Sequence, residues 1–182
     1  DPELSLTEDE MFLLFKSVLL KRDISDRSKV EQLKKLYFAH VMEVDAAVQE
    51  LFAILKEYDC HNDTTIIITS DHGEEFGEHG GLSHDGKMYQ ELVSIPLLIY
   101  SPDLVKPQVS QAVVSNIDIP PTITGLFGIA PSSSWQGQSL LPLSEYRSKG
   151  AYGEAIDKFG PREKGDEKDV YFYREGDLKI IY

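Results

Sequence analysis

Residues 64–87 read TTIIITSDHGEEFGEHGGLSHDGK. The run from Thr65 to Thr69 is β-branched and apolar, and it stops at Ser70-Asp71-His72-Gly73. Such a run predicts a buried strand of a parallel sheet. In open α/β sheets, ligands collect just beyond the carboxyl ends of the strands. Asp71 and His72 therefore stand where a metal ion or an anionic substrate is expected. His72, His79 and His84 share the stretch with the acids Asp71, Glu74, Glu75, Glu78 and Asp85. Gly73, Gly77, Gly80, Gly81 and Gly86 punctuate it, as a loop wrapped round a polar site requires.

Working outward, the pattern is helix, strand, loop, strand, helix, hairpin. Thr7-Glu8-Asp9-Glu10 has the form of a capping box and opens a short helix to about Lys21. A long helix is predicted from Arg27 to Tyr58. Its apolar positions Val30, Leu33, Tyr37, Val41, Val44, Val48, Leu51 and Leu55 step by three or four, as one core-facing stripe does. Met88 to Val93 reads as helical, Ile95 to Tyr100 as a second buried strand, and Ala112 to Ile117 as a third. Pro120 to Phe127 has proline in its first turn and Gly128 at its end, the asymmetry of a helix. Residues 157–169 are charged and loop-like. Tyr171 to Arg174 and Leu178 to Tyr182 flank Glu175-Gly176-Asp177 as a hairpin. The order implies α/β layers within one domain.

At 182 residues and 41% apolar composition the chain buries a core. A net charge of −13 excludes the basic stripe that nucleic acid needs and disfavours anionic membranes. No stretch reaches the roughly 20 apolar residues of a membrane span. One cysteine, Cys60, excludes an internal disulfide and is expected to be a small buried residue. The compartment stays unknown, with a soluble, cytoplasmic setting slightly preferred.

The chemistry concentrates in the central loop. A carboxylate and an imidazole side by side are metal ligands, but two ligands are fewer than the usual three or four. A Ser70-Asp71-His72 triad is excluded, because neighbours on a strand point to opposite faces. A solvated acidic loop accounts for the spacing equally well. His40 and His61 read as structural or solvated residues.

Beyond spacing, Thr64 to Glu74 followed by Gly77-Glu78-His79-Gly80 resembles the sulfatase family of the alkaline phosphatase superfamily. The likeness continues in Tyr37 to Leu55, Ser83 to Leu92, Ile95 to Ile99, Ser115 to Thr122 and Gly137 to Pro142, in order. The resemblance implies part of an alkaline-phosphatase-like sandwich, a mostly parallel sheet flanked by helices, with a C-terminal β-hairpin. It implies a metal-dependent hydrolase of sulfate esters, with a small-molecule or glycan sulfate or phosphate ester as substrate. Asp71 and His72 would be metal ligands. His84, or next Lys87, would contact the ester's anionic oxygens or protonate the leaving group, and His79 would shape the loop.

Two departures qualify the resemblance. Many sulfatases carry Asp-Asn where this chain has Asp71-His72, and imidazole suits manganese, zinc or iron better than calcium. The Cys- or Ser-based C-x-P-x-R motif that supplies the nucleophile is missing: Cys60 is followed by His61-Asn62-Asp63-Thr64. The chain thus looks like the C-terminal half of a sulfatase, inactive alone. The alternatives are a phosphodiesterase, phosphonate hydrolase or phosphotransferase of the same superfamily, or a non-catalytic binding domain. Half of such a sheet leaves apolar faces open, so self-association is expected.

Overall fold

The computed structural model describes residues 7–18, 24–84, 86–155 and 169–182. Its elements are α1 (Glu8–Val18), α2 (Arg27–Glu57), β1 (Ile66–Thr69), β2 (Glu75–Phe76), β3 (Leu82–Ser83), α3 (Gln90–Val93) and β4 (Leu97–Tyr100). A 3-10 turn (Asn116–Asp118), α4 (Ile119–Leu126), β5 (Ala151–Ala155), β6 (Val170–Glu175) and β7 (Leu178–Ile181) follow. The chain divides into two compact units. One comprises the described parts of Asp1–Thr64, Ile68–Asp85 and Tyr89–Leu98, the other Thr65–Ile67, Gly86–Met88 and Ile99–Tyr182. No helix among the described residues is long and apolar enough to cross a membrane.

In the first unit the capping box forms as its residues dictate. The Thr7 amide donates to Glu10 Oε2 at 2.8 Å and the Glu10 amide donates to Thr7 Oγ1 at 3.3 Å. The Thr7 amide first, and then the Thr7 hydroxyl, which also donates to Glu10 Oε2, hold the Glu10 carboxyl below the usual carboxylate range. Helix α2 starts at Asp26, whose side chain accepts from the Lys29 amide. The core beneath these helices is Leu14, Val30, Leu33 and Leu82, with Ile24 and Phe76 packed against it.

The apolar stripe of α2 departs from expectation. Only Val30 and Leu33 are buried; Val41, Val44 and Leu51 are 47%, 62% and 44% exposed. Periodicity identifies a face that wants cover, whereas burial needs a covering partner. Among the described residues that cover reaches only the first turns.

Helix α2 ends in a Schellman motif. The Cys60 amide donates to the Leu55 carbonyl at 2.8 Å and the Asp59 amide to the Lys56 carbonyl at 3.2 Å. Asp59 sits at φ 54°, the left-handed region that glycine occupies freely. Asp59→Gly is expected to stabilise the helix end by about 0.5–1 kcal/mol net of the looser unfolded chain. Denaturant unfolding followed by helical circular dichroism checks this, and a lower midpoint refutes it. Cys60 itself is exposed, contrary to the buried reading, because it follows this turn rather than entering the core.

Strands β1 and β4 are hydrogen-bonded neighbours in a two-stranded sheet, shorter at their starts than expected and half-buried rather than buried. The third strand expected at 112–117 is absent. Ser115 and Asp118 cap each other there and wind Asn116–Asp118 into the 3-10 turn that leads straight into α4. Prolines occupy the first turn of α4, and Gly128 follows it at φ 66°. The expected C-terminal hairpin forms, with Glu175 inside the strand and paired with Leu178, so that the turn is the two residues Gly176-Asp177. Strand β5 adds a third antiparallel strand, pairing Ala151 with Arg174 through to Ala155 with Val170. The loop expected at 157–169 lies outside the described residues apart from Asp169.

Asp118 organises the second unit. It is 5% exposed, and its carboxylate accepts from the Gln138 amide at 2.9 Å, the Tyr146 hydroxyl at 3.0 Å and the Ser115 amide at 3.1 Å. Thr122 continues the seam: its hydroxyl donates to the Asp118 carbonyl at 2.6 Å and accepts from the Leu140 amide at 2.9 Å. One carboxylate thereby joins the start of α4 to the loop at 138 and to Tyr146.

Candidate metal and ester site

Strand β1 delivers the chain to Ser70, where it turns. The Ser70 hydroxyl donates to the His72 carbonyl at 2.7 Å, and the His72 amide donates to Asp71 Oδ1 at 3.0 Å. The two residues lie past the strand, so its alternation no longer separates them. Asp71 Oδ2 stands 3.6 Å from His72 Nε2. The Asp71 carboxyl is held below its ordinary range by its own main-chain amide first, then by that of His72 and by the nearby imidazole. His72 Nδ1 is 2.8 Å from the Gly73 carbonyl. A carbonyl only accepts, so Nδ1 carries the proton and Nε2 of the neutral ring keeps its lone pair.

Gly73 fixes the next step. Its amide donates to the Leu92 carbonyl at 2.8 Å, and a Cβ built on it would lie 1.9 Å from the Glu91 carbonyl oxygen. Only glycine lets the backbone approach α3 this closely.

His84 returns to the same place from β3. Its ring stacks on His72 with centroids 4.0 Å apart and planes 27° apart. Its Nδ1 lies 3.0 Å from Glu74 Oε2, and the carboxylate partner likewise leaves Nε2 as the outward nitrogen of the neutral ring. The preceding Ser83 sits at φ 72°, a left-handed backbone unusual for a residue with a side chain. Donor atoms of His72, Glu74 and His84 all lie within 4.8 Å of one another.

The donor chemistry fits a divalent cation. Two ligands at about 2.0–2.2 Å from one tetrahedral ion are about 3.4 Å apart, close to the separation of the Asp71 and His72 donor atoms. Nitrogen donors beside carboxylates suit manganese or zinc.

His72 thus neighbours both Asp71 and His84 in the first unit, while the three-donor group joins His72 and His84 with Glu74 and does not include Asp71. Lys87 belongs to the second unit, half-buried between Gly86 and Met88. Asp85 lies outside the described residues. Glu74 received no individual role from the sequence; its place two residues beyond His72 was its only signal. A second group was also missed. Glu75 is 1% exposed and accepts from the His79 and Gly81 amides at 3.0 and 2.9 Å, and donor atoms of Glu75, His79 and Glu91 lie within 4.8 Å of one another.

The family model described as sulfatase matches residues 10–129. Arylsulfatase K of Gallus gallus is 34% identical over 136 residues, 75% of this chain and 24% of the relative. The chain spans about a quarter of the length of the curated relatives it matches. Among solved structures, a phosphonate monoester hydrolase from Silicibacter pomeroyi superposes with a TM-score of 0.73 at 24% identity, covering 85% of this chain and 33% of that one. That likeness shows the fold, an alkaline-phosphatase-like α/β arrangement. A protein solved in complex with its substrate D-glucosamine-2-N,6-O-disulfate superposes with a TM-score of 0.68 at 27% identity, covering 96% of this chain and 37% of that one.

Proposed function

Because the chain belongs to the sulfatase family, we propose that it carries the metal-binding and leaving-group side of a sulfate-ester hydrolase acting on sulfated sugars. In this reading it forms the carboxy-terminal portion of the enzyme, and a further segment supplies the nucleophile. The exposed stripe of α2 then receives the rest of the fold or a second copy. Asp71 and His72 hold a divalent ion through Oδ2 and Nε2. A bound divalent ion supplies Lewis-acid polarisation of a sulfuryl oxygen. His84, oriented by Glu74, presents Nε2 to the ester, either to hold an anionic oxygen or to protonate the departing alcohol. The sugar assignment is carried by the relative solved with a disulfated glucosamine.

The observation that carries the reading is the approach of Asp71 Oδ2 to His72 Nε2 at 3.6 Å, with the His84 ring stacked on that of His72. Two protein preparations test it, using 4-nitrophenyl sulfate and 4-nitrophenyl phosphate. The 182-residue chain alone is expected to turn over neither, because covalent catalysis needs a nucleophile it lacks. A longer chain that includes a formylglycine-type motif is expected to prefer the sulfate and to lose activity on Asp71→Ala or His84→Ala. Turnover by the chain alone, or preference for phosphate in the longer one, refutes the proposal.

A further inference from the structure

Helix α3 touches the glycine-punctuated loop at two separated points. At the first, the Gly73 amide donates to Leu92, which is 3% exposed, and the Glu91 carbonyl leaves no room for a Cβ. At the second, Glu91 Oε1 meets His79 Nδ1 at 2.5 Å, and the His79 ring lies flat on Tyr89 with centroids 3.8 Å apart and planes 7° apart. His79 is joined in turn to Glu75, whose buried carboxylate gathers the His79 and Gly81 amides. Residues 74–84 therefore leave His72 and return with His84 as a loop pinned to one side of α3. Glu74 lies between the pins and is the residue that meets His84.

We propose that Glu91 is a positioning residue, acting through His79 to hold the 74–84 loop so that Glu74 and His84 face His72. The functional consequence rests on the reading of His72 and His84 as site residues. The geometry of the latch does not. Helix α3 makes both contacts: the Leu92 carbonyl takes the Gly73 amide, and the Glu91 side chain meets His79. A short charge-assisted bond with a half-buried carboxylate is among the stronger side-chain contacts, and supporting contacts of this kind change metal affinity by roughly 10–100-fold when removed. His79 also helps Glu75 stay buried next to Glu91, because it gives a separate hydrogen-bond donor to each, its main-chain amide to Glu75 and its ring to Glu91.

The test compares the wild-type 182-residue chain with Glu91→Ala, Glu91→Gln and His79→Ala. Imidazole 15N NMR is recorded without metal, and Mn2+ binding is measured by calorimetry. Glu91→Ala is expected to shift the ring nitrogens of His84 and His72, neither of which Glu91 is seen to touch, and to weaken Mn2+ binding about 10-fold or more. Glu91→Gln keeps an oxygen acceptor for the His79 ring and is expected to restore both. His79→Ala is expected to match Glu91→Ala. His72 and His84 signals unchanged in Glu91→Ala overturn the proposal. So does Glu91→Gln behaving like Glu91→Ala, since the latch needs an acceptor there and Gln supplies one. If the wild type binds no Mn2+, the site assignment falls, and the ring signals still decide whether the latch exists.

Discussion

Asp118→Ala is expected to unfold the second unit under conditions where the wild type is fully folded. Three donors converge on that carboxylate: the amides of Ser115 and Gln138 and the Tyr146 hydroxyl. The residue is 5% exposed and Tyr146 8%, so water does not readily replace what is lost. Each stranded donor costs about 1–3 kcal/mol, and removing one partner of a buried charged network costs about 3–5 kcal/mol in total. A domain holds only about 5–15 kcal/mol, so the loss takes much of the margin. Asp118→Asn keeps one acceptor oxygen and is expected to fall between.

Trp135 is the only tryptophan and belongs to the same unit, so its fluorescence during urea unfolding reports the event directly. Helical circular dichroism, dominated by the 31 residues of α2, follows the other unit and is expected to change far less. An unchanged Trp135 transition in Asp118→Ala refutes the role assigned to the carboxylate. The same seam gives the unit an alkaline limit. Burial first, then the charge of Asp118 and the hydrogen bond to it, pushes the Tyr146 phenol up. A raised value means the folded state favours the protonated phenol. That contribution is complete below the ordinary tyrosine range, about 10, and is lost as pH rises through the raised value. Tyr146→Phe removes this alkaline dependence.

The parts of this fold that the sequence disclosed are those whose causes lie within a few residues. The Thr7–Glu10 cap, the span of α2 and the turn at Gly176-Asp177 each follow from local propensity and hydrogen bonding. Where the cause is distant, the reading failed or stopped short. Residues 112–117 carry β-branched side chains, but the reciprocal caps of Ser115 and Asp118 prevail and the chain winds instead. Ala151–Ala155 contains Gly153 and shows no strong strand pattern; it is a strand because β6 pairs with it, with the Phe172 ring packed over Gly153. The site divides the same way. Asp71 and His72 are adjacent in sequence and legible as a pair of ligand types. The Glu74–His84 and His79–Glu91 contacts span 10 and 12 residues and depend on where β3 and α3 return the chain.

His72→Asn is expected to change which metal the chain prefers. In the wild type the His72 ring donates Nδ1–H to the Gly73 carbonyl, which aims the Nε2 lone pair to within 3.6 Å of Asp71 Oδ2. Nitrogen donors favour manganese and zinc, whereas calcium takes oxygen ligands. Asparagine offers a carbonyl oxygen from a shorter side chain, so the variant replaces the nitrogen by the oxygen of an Asp-Asn pair. Mn2+ and Zn2+ affinity is expected to fall by more than the roughly 10–100-fold that loss of a supporting contact costs, because a donor atom itself is removed. Ca2+ affinity is expected to hold or rise, inverting the order of the three ions. Calorimetric titration of both chains with each ion, with Asp71→Ala as the control that loses all three, measures the effect. An unchanged order of ions in His72→Asn shows that the imidazole is not a ligand; the metal site would then have to be built on Glu74 and His84, whose contact does not pass through His72.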